Sequence, residues 1–445
     1  MQLAFRFAKS DFLRWVLILI CLLILGFITA NRAHFSDFPA FYCGGLLQRE
    51  HLHPHELASL AACERQIHIG SLYGAHLFDD PVRMPYPSYI LQLFSLMTYF
   101  SPGVALCSWI ATGVLASAIV IVVVQNNTNF RPTTLLPLVA LPTVSIIITL
   151  GHVTTLLALG ICLAVIAARK GLDLQASFAL LPALLYPQCG VIAYLGLACA
   201  RPAARIPAFA ILSIIGVYSL WLDSLPQIIY YVTYTLREQA LANAVGPWQY
   251  GVIGLLYDMG ISAVHALQLG QCLVVLSLIG TFFWGYNRLR LTGDPAPLII
   301  LPVVCVTALY YANMEEYAAL VPCLLLLHGH ATKKTVIVAQ FAIWCPWAIT
   351  GSIFEFISMP VLALFPYWSE SLLTALFTSL SMCILAYQAS VFHGIQHFEF
   401  LVRNFGFRQE MLDSTLLKIP SWIGFFALFI SSYFTRVKPI NRSRI

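Results

Sequence analysis

Charge is the scarcest property of this sequence. Of its 445 residues 10% are Asp, Glu, Lys or Arg, against 60% hydrophobic. Soluble domains carry about a quarter charged residues, so no sizeable water-soluble domain fits in the chain. The sequence also lacks a Gly-rich nucleotide-binding loop, a low-complexity segment, a long soluble linker and an internal repeat. The missing repeat counts against the common transporter folds, which are built from repeated halves. The net charge of +5 is small and sits in short loops and tails, which suits a topology signal better than nucleic-acid binding. The 12 cysteines are scattered, mostly inside apolar runs, as with Cys21, Cys107, Cys162 and Cys272. That reads as small apolar packing groups rather than a disulfide framework. Only Cys43 and Cys63 share an extramembrane loop, where a bridge between them is one option.

What is present is apolar sequence, with a mean hydropathy of +0.82. A span needs about 20 apolar residues, and the runs leave room for roughly 11–13 of them. The expected fold is an all-α, polytopic membrane bundle forming one integral domain over residues 1–445. The basic start at Arg6 and Lys9 is superficially like a signal peptide, but the run Trp15 to Ala30 is long and no small-x-small cleavage site follows, so it reads as a retained first helix. Arg169-Lys170, Arg201 with Arg205, Arg288 with Arg290 and Lys333-Lys334 mark the cytoplasmic side. Loop 31–86, loop 223–248 and the turn from Asn313 to Glu316 then fall on the opposite face. The alternation strains around 87–133, where a short or re-entrant helix beginning at Pro87 restores it. Within the first loop, Leu57, Leu60, Ala61 and Ile67 fall near one face of a helical pattern over 55–68, as in an amphipathic helix on a membrane surface. Loop 223–248, with Tyr230, Tyr231, Tyr234, Trp248 and Tyr250, has the aromatic composition of a membrane interface.

The chain Asn31-Arg-Ala-His-Phe-Ser-Asp-Phe-Pro-Ala-Phe-Tyr42 sets a carboxylate, Asp37, just beyond the first apolar run. Asp37 is the one acidic residue between Asp11 and Glu50, and Phe35, Phe38, Phe41 and Tyr42 flank it as in a sugar or lipid groove. A carboxylate in a surface cavity takes a proton from a substrate hydroxyl, acting as a general base; the plainer reading is a helix cap. His51, His53 and His55 alternate as metal ligands do on a strand, but Pro54 interrupts them and no carboxylate cluster completes a site, so a polar loop fits better. Asp79 and Asp80 suit a divalent cation, and Arg83 suits a bidentate grip on phosphate. His152, in the Gly151-His152 turn, is an ionisable group between two apolar runs, where function is a fair default. Glu315 and Glu316 stand in a second such break, and Arg237 is a third phosphate-gripping candidate.

Together these motifs resemble glycosyltransferase family 87 of the GT-C superfamily, which uses polyprenyl-phosphate sugars and includes phosphatidylinositol-mannoside mannosyltransferases. The likeness spans most of the chain on sparse motifs. The family's Asp-(Phe/Tyr)-x-x-(Tyr/Phe) after the first helix is matched by Asp37-Phe38-Pro-Ala-Phe41-Tyr42. A following small-residue helix and Gly-x-x-Pro-Tyr-like turn are loosely echoed by Gly44-Gly45 and His53-Pro54-His55. Its Tyr-Pro-Pro re-entry appears as Tyr86-Pro87-Ser88, and its Gly-Gln-x-Asn as Gly151-His152-Val-Thr154. The chain departs at Tyr186-Pro187, where the family has Lys-Pro, and at Glu316-Tyr317, where it has a His-Tyr whose His is associated with the lipid phosphate.

The resemblance implies a GT-C-like bundle in a bacterial inner membrane, its active site facing the periplasm. Asp37 would act as the base in an inverting transfer of mannose or a similar sugar from a polyprenyl-phosphate donor to a lipid or glycan acceptor in cell-envelope assembly. Arg83, His152 and Arg237 would hold the donor phosphate, and Tyr42, Tyr86, Glu316 and Tyr317 would line the groove. No cofactor or resident metal is required, a divalent cation at Asp79-Asp80 being the alternative. The competing readings are a lipid or glycan flippase or transporter, and a non-catalytic GT-C relative acting as a scaffold.

Overall fold

The structure is a computed structural model and describes residues 37–67, 86–130, 132–135, 138–139, 151–152, 154–244, 251–306, 314–330, 332–342 and 417–434. These residues form helices joined by short turns, with no strand among them. Three of the helices are long and apolar enough to cross a membrane: Pro102–Asn127 (α4 below), Pro202–Leu222 and Ala263–Thr292. The first apolar run and the stretch between Ala342 and Leu417 lie outside the described residues, so the expected count of spans does too.

The chain enters with α1 (Phe38–Arg49) and α2 (Leu57–Gln66). Next come α3 (Ser88–Ser95), continued by a 3₁₀ turn at Leu96–Tyr99, and then α4, Pro102–Asn127. The short helix expected after Pro87 is therefore present. Pro87 sits in extended backbone at its N-cap, where a missing N–H costs nothing.

Helices α1 and α3 run side by side in the same direction. Phe41 stacks on Phe94 with ring centroids 4.9 Å apart, and Arg49 Nη1 donates to the Thr98 carbonyl at 2.9 Å with its guanidinium over the Tyr99 ring. The approach is close enough to require glycine. A Cβ added at Gly45 would stand 2.6 Å from the Phe94 carbonyl carbon.

A disulfide between Cys43 and Cys63 ties α2 to α1. Leu60 and Cys63, three residues apart, are buried, whereas Leu57 is 41% exposed. Of the expected apolar face, Leu60 is buried and Ile67 packs on the core, while Leu57 at the helix start is exposed.

The rest of the bundle comprises α5 (Thr155–Arg169), α6 (Asp173–Ala179), α7 (Pro187–Ala200) and α8 (Arg205–Leu222). They are followed by α9 (Leu225–Tyr230), a π-helical turn at Tyr231–Thr235, α10 (Leu236–Ala244), α11 (Val252–Asp258) and α12 (Ala263–Thr292). The last are α13 (Ala296–Val306), α14 (Met314–His328), α15 (Lys333–Ala342) and α16 (Leu417–Phe434).

One end of this bundle carries paired charge. Arg169, closing α5, grips Asp294 ahead of α13 through Nε at 3.0 Å and Nη2 at 2.8 Å. Arg201, closing α7, grips Asp173 at the start of α6 at 2.7 and 3.2 Å. Bidentate pairs of this kind fix orientation as well as adding energy. Arg205 donates to the Ala198 carbonyl at the same end. The core between α5, α7, α13 and α14 is aliphatic and closely packed, from Leu157 and Ile161 to Ile299, Leu320 and Leu324.

Candidate functional site

At the other end of α5 a turn brings three distant segments together. Gly151 adopts a left-handed backbone, φ +74°, which glycine reaches without a Cβ penalty, and it packs directly on Phe38 at the start of α1. Its carbonyl accepts a hydrogen bond from Trp109 Nε1 of α4 at 2.8 Å. Asp37, the residue before Phe38, is half-buried beside this turn and caps α1 without a hydrogen bond from its own side chain to the helix. The plainer capping reading of Asp37 therefore lacks the bond that defines it.

His152 follows. Its Nε2 lies 2.9 Å from the Tyr86 hydroxyl, and its Nδ1 lies 2.6 Å from the Tyr186 hydroxyl at the N-cap of α7. The Phe41 ring packs on the imidazole with centroids 5.3 Å apart, and on Tyr86 at 5.3 Å. In this turn, outside the spanning helices, burial pushes the His152 imidazole down to about 3, so it is neutral at physiological pH. Both ring nitrogens are engaged by tyrosines, and His152 stands one residue layer behind Tyr86, which is half-buried. Two hydroxyls nearby, Ser88 Oγ at the start of α3 and Thr154 Oγ1 ahead of α5, are buried without a hydrogen-bond partner. Such groups cost about 1–3 kcal/mol.

The structure thus bonds Tyr86 to His152 and seats Phe38, the residue after Asp37, on the turn that carries His152. Tyr42 is close by on α1, but its hydroxyl donates to the Phe100 carbonyl at 2.8 Å and anchors the turn before α4. Glu316 is buried at the start of α14, within electrostatic reach of Cys189, three residues along α7 from Tyr186. Tyr317 is buried against Phe425 of α16, centroids 4.7 Å apart. Arg237 is exposed on α10, one element removed from the first loop; the contact to that loop is made by Gln227 and Tyr231, which meet His53 at 3.3 Å and His55 at 5.0 Å between ring centroids. Arg83, Asp79 and Asp80 lie outside the described residues. His53 and His55 are directed to different partners, and among the described residues no three His, Cys, Asp or Glu side chains gather as a metal site would require.

Three members of this cluster carried no functional signal in the sequence. Tyr186 registered only as a departure from a family pattern, and nothing in the sequence marks Trp109 or Phe94. Their contacts to His152, Gly151 and Phe41 respectively join segments far apart in the chain, to which local pattern is blind.

No protein-family model matches the chain, and no curated protein matches it either.

Proposed function

We propose that the chain is an integral membrane glycosyltransferase that moves a sugar, mannose or a similar one, from a polyprenyl-phosphate donor to a lipid or glycan acceptor, with inversion and with Asp37 as general base. The observation that carries this reading is the Tyr86–His152 hydrogen bond at one end of the bundle, in a turn on which Phe38, the residue after Asp37, packs, from three segments far apart in sequence. A carboxylate beside a ring of aromatic and hydroxyl groups suits an acceptor hydroxyl held for deprotonation. The attacking oxygen forms its bond to the anomeric carbon as Asp37 takes its proton. The sugar–phosphate bond breaks and the polyprenyl phosphate leaves with the electron pair. Hydrogen-bond donors at the leaving oxygen lower the barrier, and confinement at the interface supplies orientation.

Topology supports the same reading. Arg169, Arg201, Arg205, Arg288 and Arg290 belong to helix ends opposite the Asp37 cluster. By the positive-inside rule that end is cytoplasmic. A bundle with more spans than the three long helices, its active face in the periplasm of a bacterial inner membrane, accommodates both observations. The Cys43–Cys63 bridge, on the helix that Asp37 precedes, suits an oxidising compartment. The single observation favouring a flippase or transporter is Glu316, a carboxylate buried in an apolar core, where ionisable groups mark ion or proton paths.

The test compares membranes carrying wild type, Asp37→Ala or Asp11→Ala, each supplied with a panel of radiolabelled polyprenyl-phosphate sugars and an extract of lipid acceptors. Transfer by wild type and Asp11→Ala, with a loss of about 10²–10⁴-fold in Asp37→Ala, is the expected result. Transfer that survives Asp37→Ala ends the mechanism. No transfer from any donor by folded wild type turns the reading to the flippase or the scaffold.

A further inference from the structure

We propose that α9 and the π-helical turn after it form an interfacial helix, seated in the lipid headgroup layer where α8 leaves the membrane. Leu225, Ile229, Tyr230 and Tyr234 enter the boundary with the acyl chains, and Arg237 meets a lipid phosphate. This placement holds whatever reaction the chain performs.

From Leu225 to Leu236 the sequence carries no charged residue, although this stretch lies beyond the helix Pro202–Leu222 that is long and apolar enough to cross a membrane. A helix bathed in water carries charged and polar groups on the side away from the protein. Here that side is apolar. Leu225, Ile229, Tyr230 and Tyr234 are each at least half exposed, and the two tyrosine rings stack with centroids 4.9 Å apart. Their spacing sets them on one face of the helix, and exposed Arg237 ends that face.

The opposite face turns to the protein. Gln227 Nε2 lies 3.3 Å from His53 Nε2, and the Tyr231 ring packs on His55 with centroids 5.0 Å apart. The π-helical turn at Tyr231–Thr235 then carries the chain back to the bundle. Thr235 within it is buried, and Ala240 of α10 is buried with Ile253 of α11 and Ala266 of α12. The first loop thus meets Gln227 and Tyr231, and the exposed side of α9 is left apolar.

Continuity with α8 identifies what covers that side. Val217, Leu220 and Trp221 are exposed in the last turns of α8, Trp221 by 77%, and Tyr218 stacks on the Trp221 ring. On a helix that crosses a membrane such residues face lipid, with Trp and Tyr concentrated at the headgroup level. Asp223 and Ser224 alone separate α8 from α9, so the lipid-facing surface runs on into Leu225 and Ile229. A tyrosine joins an apolar ring to a polar hydroxyl, which suits a site with one end dry and the other wet. The Arg237 guanidinium matches the fork geometry of phosphate. Apolar and aromatic groups on one face with a cation at its edge is the pattern of helices that lie in a membrane surface.

The test uses full-length protein in vesicles of phosphatidylethanolamine and phosphatidylglycerol, free of polyprenyl phosphate. A trace of phosphatidylglycerol carries a diazirine at the top of its acyl chain, and adducts are mapped by mass spectrometry after photolysis. Adducts are expected on Ile229, Tyr230 and Tyr234, as on Val217 of α8, and not on Gln227 or Tyr231. Absence of adducts from 225 to 237 overturns the proposal. In a second arm p-benzoylphenylalanine replaces Tyr230 and is photolysed in native membranes. A lipid adduct is expected, whereas a discrete protein adduct gives this face to a protein partner and overturns the lipid assignment. Arg237→Gln, with its thermal midpoint checked against wild type, should lower labelling of α9 by the phosphatidylglycerol probe about fivefold relative to a phosphatidylcholine probe of the same design. An unchanged ratio overturns the place given to Arg237.

Discussion

Gly151 stands so close to Phe38 that a Cβ built on it would come within 2.7 Å of the Phe38 Cβ. This contact joins the Gly151-His152 turn to the start of α1, and so to Asp37. Gly151→Ala meets two obstacles at once, the left-handed backbone and the Phe38 side chain. The backbone term alone costs about 1–2 kcal/mol. We expect a lower unfolding midpoint and a loss of transfer exceeding the loss of folded protein, since the displaced part is the Asp37 end of α1. Equal losses of folded protein and transfer would confine Gly151 to stability.

The Cys43–Cys63 bridge closes a loop of sequence separation 20. Loop-entropy arguments give such a bridge ~3 kcal/mol. Cys43→Ser with Cys63→Ser should lower the thermal midpoint, and wild type should lose its faster mobility on a non-reducing gel when reduced. A double variant as stable as wild type would remove the bridge from the folding energetics of the first loop.

Arg169 and Asp294 are 17% and 9% exposed and form a bidentate pair. Removing one partner strands the other in an apolar setting, at a cost on the order of 3 kcal/mol. Arg169→Met or Asp294→Asn should each destabilise the protein, and the two together by less than their sum. Additive effects in denaturation of the solubilised protein would show that the ions act separately. Asp294 also accepts the Ala296 N–H at 3.0 Å, so its loss should be the larger.

The buried imidazole of His152 gives stability a pH dependence of defined sign. Its folded pKa lies near 3, below the ordinary 6.5. The unfolded chain takes up a proton below about pH 6.5 that the folded chain refuses until about pH 3, so stability is complete above pH 6.5 and falls as pH drops through that window. The thermal midpoint of wild type should fall more between pH 7.5 and 5 than that of His152→Gln. Parallel curves for the two proteins would place the pH dependence elsewhere.

The helical character of the chain and the sites of several elements were legible in residue pattern. Low charge and long apolar runs leave helices as the economical way to satisfy backbone groups away from water, and Pro87 announces the short helix that follows it. Basic residues closing α5 and α7 marked one end of the bundle in advance. In the candidate site, Tyr86 and His152 were each singled out from sequence and are hydrogen-bonded to one another, and Phe38, the residue after Asp37, packs on the same turn.

By itself, then, the sequence determined which segments could be apolar helices and where polar breaks interrupt them, because hydrophobicity and helix-ending residues act over a few neighbours. Tertiary structure decided the partners. Tyr86 and His152 are 66 residues apart, His152 and Tyr186 34, and Arg169 and Asp294 125. The bridge to Cys43 likewise joins α2 to a helix 20 residues earlier in the chain, with Cys63 and Leu60 both turned inward. Such pairings are set by how whole helices pack, and packing is a property of shapes that meet in space, which local periodicity does not encode.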